Sequence, residues 1–478
     1  HSRPTDCGAR HVVIRNAKEW QLRPLPERGR REPGWIPTAT EPRRASRAPC
    51  EGRTEVNAEQ STQTLERILE RGNLQRAYRA VRRNRGAGGV DGKDIATTGR
   101  HLKTHWPRIA GKLREGSYTP SPVRGVRIPK AGGGERVLGI PTVQDRLIQQ
   151  ALAQVLSASW EGSFSGHSYG YRPGRSAHDA VRAAQGYVRE GKDWVVDLDI
   201  SAFFDHVNHD ILMQRVSEKE GDKRVLRLIG RYLRAGIEMN GRRERRTRGV
   251  PQGGPLSPLL ANIYLDPLDK ELERRGLSFC RYADDVAIYV ASERSAQRVL
   301  ASVSTWVERH LKLQVNRAKS GTGRPWERKY LGFTLGRDGQ IRIAPSSAEH
   351  FKAQVRTLWD ARQGRTSREL VRQWQAYLRG WCGYFGLAEG RWAVGRWEGW
   401  VRRHIRKCFW LRWHDRKGRL NALKRLGARP YHWGVASSRR GAWRIARSPA
   451  LQTVLSRQVL QRHGLWVPSD LWAAAEGR

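Results

Sequence analysis

Two stretches of alternating side chains constrain the fold of this chain more than any other feature of its sequence. The first, DWVVDLDISAFFDHV, places Asp197 and Asp199 on one face of a predicted strand and apolar side chains on the other. The second, CRYADDVAIYV, puts Asp284 and Asp285 at the tip of a predicted β-hairpin. If the two strands are neighbours in one sheet, three or four carboxylates converge on one site.

Carboxylates held that close to one another repel unless a cation lies between them. Ligand sets made only of oxygen favour Mg²⁺. Two such ions roughly 3.5–4 Å apart activate a 3′-hydroxyl and stabilise a leaving pyrophosphate. The pattern therefore predicts a polymerase site, although an isolated acidic pair is also common in solvated turns.

The charge of the chain points to a polyanionic partner. Its 478 residues carry a formal net charge of +43, and the cations are spread over the whole sequence, which favours nucleic acid. No apolar run is long enough to span a membrane. The five cysteines are scattered without a CxxC pair, which is typical of a reducing cytosol and argues against a zinc ribbon or a disulfide framework.

The pattern changes along the chain. Residues 1–60 are rich in Arg and Pro without apolar periodicity, which predicts disorder in the absence of a partner. Strands and helices alternate from about 120 to 335, and the rest is helix-rich, basic and aromatic. Helical spacing begins earlier, with one predicted buried face made of Leu65, Ile68, Leu69, Leu74 and Ala77.

Two loops before the hairpin carry candidate ligand-binding residues. The stretch IPKAGGGERVLGIP predicts a two-stranded ribbon with Lys130 and Arg136 on opposite strands. Both side chains could contact a nucleotide triphosphate, but an ordinary solvated hairpin has the same pattern. GVPQGGPLSPLLANIYLDPLD predicts a Gly/Pro loop that runs into a helix. Its glycines would let the backbone approach a ligand beside Gln252, but the same letters also suit an ordinary helix start.

Taken in order, the motifs resemble those of group II intron-encoded, maturase-type reverse transcriptases. The matching blocks are NLQRAYRAVRRNRGAGGVDG, IPKAGGGERVLGIPTVQDRLIQQAL, SYGYRPGRSAHDAV, DLDISAFFDHVNHDIL, GVPQGGPLSPLLANIYLDPLD, RYADDVAIYV, LKLQVNRAKS and RKYLGFTL. Further on, RQWQAYLRGWCGYFG resembles the maturase thumb, and GAWRIARSPALQTVLSRQVLQRHGLW resembles the family's C-terminal DNA-binding region.

The resemblance implies an α/β right-hand polymerase. Fingers and palm, with an antiparallel palm sheet, would occupy residues 61–345. An α-helical maturase thumb would occupy residues 346–412, and a basic DNA-binding region residues 413–478. Many family members end in an endonuclease with paired cysteines. Here Cys382 and Cys408 are far apart, so we expect a short form without that activity.

The resemblance also assigns the site residues by position. Asp199, Asp284 and Asp285 correspond to the metal-binding catalytic carboxylates, whereas Asp197 corresponds to a non-catalytic neighbour. The implied substrate-binding residues are Lys130, Arg136, Ile200, Phe204, Gln252 and Lys319. Phe204 falls where an aromatic ring blocks a 2′-hydroxyl and so selects dNTPs.

The implied function is RNA-directed DNA synthesis with two Mg²⁺ ions. The partners would be group II intron RNA, a DNA target with its primer strand, and dNTPs, in the cytoplasm of a bacterium. The implied roles are help in splicing and target-primed reverse transcription. Two alternatives stay open: a splicing cofactor with an idle polymerase fold, and a domesticated reverse transcriptase in defence or repair.

Overall fold

The computed structural model of this chain describes residues 63–129, 134–389 and 391–472. The predicted N-terminal extension at residues 1–60 lies outside the described residues, and so does Lys130. The described chain divides into two compact units between Arg328 and Lys329. No helix in the described ranges is both long and apolar enough to cross a membrane.

The first unit, residues 63–328, mixes helices and strands. Its helices are α1 (Thr64–Leu69), α2 (Arg71–Asn84), α3 (Ile95–Arg114), α4 (Val143–Trp160), α5 (Ala177–Arg189), α6 (Phe203–His206), α7 (His209–Ser217), α8 (Lys223–Leu233), α9 (Ser257–Arg274) and α10 (Glu293–His310). Its strands are β1 (Val123–Pro129), β2 (Glu135–Ile140), β3 (Trp194–Asp199), β4 (Ile237–Met239), β5 (Arg242–Glu244), β6 (Ser278–Tyr282), β7 (Asp285–Val290) and β8 (Gly321–Gly323).

The predicted antiparallel sheet that carries the aspartates is present. Its strand order is β6-β7-β3-β8, and every neighbouring pair is antiparallel. One face of β3 and β7 carries the apolar side chains Val196, Leu198 and Ile288, which are fully buried in the core. The opposite face carries the carboxylates, as the alternation predicts.

The predicted ribbon before it is also confirmed. β1 and β2 pair antiparallel, with Arg124 opposite Ile140 and Ile128 opposite Arg136. β1 also pairs in parallel with β4, which pairs with β5, so the ribbon is part of a second four-stranded sheet. β4 and β5 have three residues each, which is too short for an alternating pattern to predict them.

The helical pattern that begins at Leu65 is broken in the structure, and so is the helical region at residues 209–233. Glu70 has an extended ψ of 136° and separates α1 from α2, although all five predicted face residues are buried. Asp222 separates α7 from α8, because its carboxylate caps α8 through the Arg224 amide. The same carboxylate accepts a hydrogen bond from the Leu65 amide at 3.1 Å. One carboxylate thus links the start of α8 to the start of α1.

The second unit, described over residues 329–389 and 391–472, is mostly helical. It begins with a hairpin of β9 (Phe333–Leu335) and β10 (Ile341–Ile343). Its helices are α11 (Pro345–Leu358), α12 (Ser367–Phe385), α13 (Arg391–Arg412), α14 (Arg416–Arg425), α15 (Ala442–Ile445), α16 (Pro449–Val454), α17 (Arg457–Arg462) and α18 (Pro468–Trp472), with a 3₁₀ segment at Pro430–Ser437.

Tryptophans build the core of this second unit. Trp359, Trp374 and Trp410 are among its largest fully buried side chains. Arginines lie over several of the rings, as where the Arg403 guanidinium sits 3.8 Å from the Trp443 centroid. Much of the mixture of Arg and Trp in the sequence is therefore internal packing, and it includes the buried Arg406, whose guanidinium donates to the Leu455 carbonyl.

Candidate active site

The carboxylates meet where β3 pairs with β7. Asp199, the last residue of β3, lies directly opposite Asp285, the first residue of β7. Asp284 lies in the turn between β6 and β7, which closes with Tyr282 opposite Asp285. Asp197 shares the face of Asp199 but lies opposite Ala287. The register therefore separates the two aspartates of β3, since only Asp199 is set against another carboxylate.

The backbone of Asp199 is fixed by the chain that leads into β8. Its carbonyl accepts a hydrogen bond from the Asn316 amide at 2.9 Å, and its amide donates to the Ser320 hydroxyl at 2.9 Å. Ile200 forms a bridge with Val315. These contacts hold the end of β3 after its regular pairing stops, so Asp199 has a defined position.

A buried arginine supports the acidic hairpin from the core side. Both Arg281 and Asp269 of α9 are fully buried, and they form a bidentate ion pair at 2.7 and 2.5 Å. Another guanidinium nitrogen of Arg281 donates at 3.0 Å to the carbonyl of Ala283 and to the side chain of Asn262. Arg281 therefore ties the hairpin turn to helix α9.

The segment His167–Tyr171 forms an extra edge beside the hairpin. The Arg281 amide donates to the His167 carbonyl at 2.9 Å, and the Tyr169 amide donates to the Arg281 carbonyl at 2.8 Å. Gly170 lies so close to the turn that a Cβ there would overlap the Ala283 backbone. This close approach requires glycine.

Tyr171 completes the surroundings of the acidic pair, and the sequence-based reasoning did not select it. It lies in a turn, and its φ of +61° is uncommon for an aromatic residue. Burial raises the pKa of its phenol, and the nearby Asp284 and Asp285 raise it further, while Arg136 acts in the opposite sense. Its neighbour Gly170 in YGYRPG is the sequence signal that could have pointed to it.

Arg136 is the one candidate triphosphate ligand of the ribbon that the structure describes. It lies on β2 opposite Ile128, near Tyr171 and so on the side of the acidic hairpin. Its Nε is buried without a hydrogen-bond partner in the described chain, as is that of Arg124. Buried guanidinium donors without acceptors suit an anionic ligand.

The Gly/Pro loop is joined directly to this ribbon. The Gln252 carbonyl accepts a hydrogen bond from the Gly139 amide at 2.8 Å. Gly253 has a φ of +127°, and a Cβ there would lie 2.6 Å from the Gly139 carbonyl oxygen. Helix α9 starts just after the loop, at Ser257, whose hydroxyl donates to the Pro251 carbonyl at 2.6 Å. Gln252 is thus held at a fixed position between β2 and α9.

The remaining predicted substrate residues differ in exposure. Phe204 is half-buried, packs edge-on against Phe203 at 5.1 Å, and accepts a hydrogen bond from the Val250 amide at 2.7 Å. Ile200 is only 4% exposed and faces the core, so only its backbone is open to a ligand. Lys319 is exposed, in the turn between Asn316 and Ser320.

The donor chemistry of the site suits Mg²⁺. Asp199 and Asp285 offer carboxylate oxygens from facing positions, and Asp284 lies in the turn one residue before Asp285. No set of three His, Cys, Asp or Glu side chains surrounds a single point within residues 63–129, 134–389 and 391–472. Mg²⁺ is commonly held by one or two carboxylates together with substrate phosphates and water. The residues present therefore fit Mg²⁺ that enters with a nucleotide.

Two family models match the chain. Residues 128–335 match the reverse transcriptase (RNA-dependent DNA polymerase) family, and residues 348–427 match the group II intron maturase-specific domain. The first match contains the whole acidic site, and the second lies within the helical unit.

Curated relatives agree with these matches. The chain is 32% identical to Protein YkfC of Escherichia coli K12, in an alignment that covers 48% of this chain and 71% of YkfC. It is 40% identical to the group II intron-encoded protein LtrA of Lactococcus lactis subsp. cremoris, over 36% of this chain and 29% of LtrA. It is 30% identical to a putative COX1/OXI3 intron 2 protein of Saccharomyces cerevisiae, over 42% of this chain and 23% of that protein. The match thus spans less than a third of each of the two intron-encoded relatives.

Proposed function

This chain belongs to the reverse transcriptase family that carries the group II intron maturase domain, and from that membership we propose that it copies RNA into DNA at the Asp199–Asp285 site. We propose further that it binds the RNA of a group II intron, assists its splicing and uses a nicked DNA target as primer. The observation that carries the proposal is the register that sets Asp199 against Asp285 beside Asp284. Primer extension on an RNA template with dNTPs and Mg²⁺ tests it.

The proposed chemistry divides between the acidic hairpin and the basic ribbon. Asp199, Asp284 and Asp285 would hold Mg²⁺. When bound, Mg²⁺ lowers the pKa of the primer 3′-hydroxyl and offsets charge on the departing pyrophosphate. Arg136 presents its unpaired Nε to the triphosphate. Lys130 and Lys319 would add charge to the same phosphates.

Orientation of the nucleotide is assigned to the fixed elements around the carboxylates. Gln252 would contact the nucleotide from a loop that is anchored to both β2 and α9. Phe204 would lie against the sugar, since its backbone is fixed by Val250. Elements held this firmly position a substrate without a large entropic cost at each turnover.

We expect Phe204→Ala to let the enzyme incorporate rNTPs. Removing the ring opens space for a 2′-hydroxyl, so the preference for dNTPs over rNTPs should fall by roughly 10- to 100-fold. Single-nucleotide incorporation with dATP and ATP on one primer–template measures it. The control is Phe164→Leu, because Phe164 is buried against Trp160, away from Phe204, and should alter stability without altering sugar selection. If the preference for dNTPs over rNTPs is unchanged in Phe204→Ala, Phe204 does not select the sugar of the nucleotide.

We expect the affinity for intron RNA to fall steeply with salt. The net charge of +43 is far more than a surface needs for solubility. Neutralising about six phosphates gives a slope of roughly −4 to −5 in a plot of log affinity against log salt concentration. The slope can be measured by filter binding or fluorescence anisotropy at KCl concentrations from about 50 to about 300 mM. A slope near zero would mean that the cations do not contact phosphates.

The proposed setting is the cytoplasm of a bacterium, where transcript and target DNA are both available. The match to LtrA of Lactococcus lactis supports a bacterial source. The three described cysteines, Cys280, Cys382 and Cys408, are buried and free, which suits a reducing compartment.

A further inference from the structure

A cavity in the second unit is lined by arginines and has no assigned ligand. It lies between the end of α13, the start of α14 and the segment at residues 436–442, and its volume is ≈ 510 Å³. We call it the arginine pocket and define it by Trp410, Leu411, Arg416, Arg419, Arg439 and Arg440. Pockets of a few hundred Å³ are the size that proteins use for small ligands.

The charge of the arginine pocket has no internal compensation. Four arginines line it, and no Asp or Glu does. None of the four forms an ion pair with a carboxylate in the described part of the chain, whereas Arg457 of the same unit pairs with Asp470 at 2.6 Å. Four cations around one cavity repel one another, and an anionic ligand would remove that repulsion.

Arg419 is held in a defined orientation within the pocket. Its guanidinium lies 4.7 Å from the centroid of the Trp410 ring, and Trp410 itself is only 1% exposed. The Nε of Arg419 is buried and has no hydrogen-bond partner among the described residues. Because Trp410 covers one face of the guanidinium and Arg419 lines the pocket, a ligand there would meet the opposite face. A flat cation of this kind stacks on nucleobases.

The arginine pocket also has an apolar side chain in its wall and a loop at its edge that is held by a hydrogen bond. Leu411 is 38% exposed and is one of two large hydrophobic side chains that stand exposed in the described chain. The Ser438 hydroxyl accepts a hydrogen bond from the Arg440 amide at 3.2 Å, which fixes the loop that carries Arg439 and Arg440. Free phosphate would use only the cations, whereas a nucleotide would use the cations, the stacking face and the apolar wall.

We propose that the arginine pocket binds one unstacked nucleotide of a single-stranded nucleic acid. The phosphodiester would lie against Arg416, Arg439 and Arg440, and the base would lie between Arg419 and Leu411. This assignment rests on the proposed function for the nature of the partner, since a chain that acts on RNA and DNA meets single strands of both. It names a site remote in sequence from the polymerase motifs.

The test is fluorescence anisotropy of the full chain with labelled strands of about 12 nucleotides. This length is about three times the smallest number of nucleotides that a single-strand-binding site covers. The probes are a single-stranded DNA, the matching RNA, the DNA duplex and a DNA strand with abasic spacers. We expect Arg439→Gln/Arg440→Gln to weaken binding of the base-containing single strands by roughly 10-fold or more and to lower the salt slope. The charge-matched control is Arg368→Gln/Arg372→Gln on exposed positions of α12, which should change affinity by less than about 2-fold.

Stacking has its own test. Arg419→Lys keeps the charge but loses the flat cation, so it should weaken binding of the base-containing strand by roughly 5- to 10-fold and leave the abasic strand unchanged. Equal losses in the α12 control, equal losses on the duplex, or no dependence on the base would each overturn the proposal. The preferred strand, DNA or RNA, identifies the source of the nucleotide.

Failure of this site and failure of the polymerase proposal give different results. Primer extension on a short primer–template is measured for every variant. If the wild type makes no DNA but the pocket variants still lose single-strand binding, the polymerase proposal fails and the pocket stands. If extension is normal and binding is unaffected by all pocket variants, the pocket proposal alone is wrong.

Discussion

Asp284→Ala should abolish primer extension on an RNA template while it leaves RNA affinity within about 2-fold of the wild type. Asp284 lies in the turn beside the facing pair Asp199 and Asp285. If these three aspartates hold Mg²⁺ as proposed, its loss would remove one of the three carboxylates. Loss of a metal-holding carboxylate removes stabilisation that exists only in the transition state, and we expect at least a ~10³-fold fall in rate. Single-turnover extension with Mg²⁺ and dNTPs measures it.

The structure supplies a closely matched control for this experiment. Asp197 has the same side chain on the same strand face as Asp199, two residues earlier, but it lies opposite Ala287 instead of a carboxylate. Asp197→Asn should therefore retain most of the activity, whereas Asp284→Asn, which has the same shape change, should not. Equal activities in the two Asn variants would contradict the assignment of the metal site.

The same assay separates the proposed function from its main alternative. If neither the wild type nor Asp284→Ala makes DNA, while both bind intron RNA tightly, the chain is a splicing cofactor built on an idle polymerase fold. The presence of all three aspartates, Asp199, Asp284 and Asp285, favours the polymerase proposal over the idle fold.

The alternation of side chains was enough to predict the acidic sheet. In DWVVDLDI it separates Val196 and Leu198 from the two aspartates, and the structure buries the former completely. Alternation alone could not separate Asp197 from Asp199, because both have the same parity. That distinction depends on the register between β3 and β7, which is a long-range property of the sheet.

Other features of the site and the fold could not be predicted from the sequence, because they depend on contacts between residues far apart in the chain. Arg281 in CRYADD has the pattern of an ordinary cation in a strand, and nothing local indicates that Asp269 will meet it in the core. The break at Asp222 follows from a cap and a contact with Leu65, more than 150 positions away. Tyr171 is positioned by the approach of Gly170 to the hairpin turn. The local conformational propensities of residues carry no information about such long-range contacts.

The tryptophan-rich C-terminal region shows the limit of composition as evidence. Arg and Trp interleaved in sequence suit both nucleic-acid stacking and a core with basic edges. The fold buries Trp359, Trp374 and Trp410, which favours the second interpretation for these rings. Nucleic-acid stacking remains a candidate role where Arg419 lies over Trp410 and both line a cavity.

Arg281→Met should be the most destabilising single change near the site. It removes the only described ion-pair partner of Asp269, which is fully buried, and it leaves that carboxylate uncompensated in the core. Breaking a buried pair in this way costs about 3–5 kcal/mol of unfolding free energy. Urea denaturation followed by tryptophan fluorescence measures the loss. Arg274→Met is the control, since the Arg274 side chain is 72% exposed and its partner Glu271 keeps a second ion pair with Arg275, so the midpoint should hardly move.

The double variant Arg281→Met/Asp269→Leu separates stability from function. Replacing both members of a buried pair by apolar side chains is often neutral or stabilising, so most of the lost unfolding free energy should return. The carbonyl of Ala283 would still lack the guanidinium that ties the acidic turn to α9. We therefore expect the double variant to fold like the wild type but to extend primers at least ~10-fold more slowly, because small displacements of reacting groups are costly. A stable double variant with full activity would mean that Arg281 only stabilises the core, and that the turn holds Asp284 and Asp285 without its help.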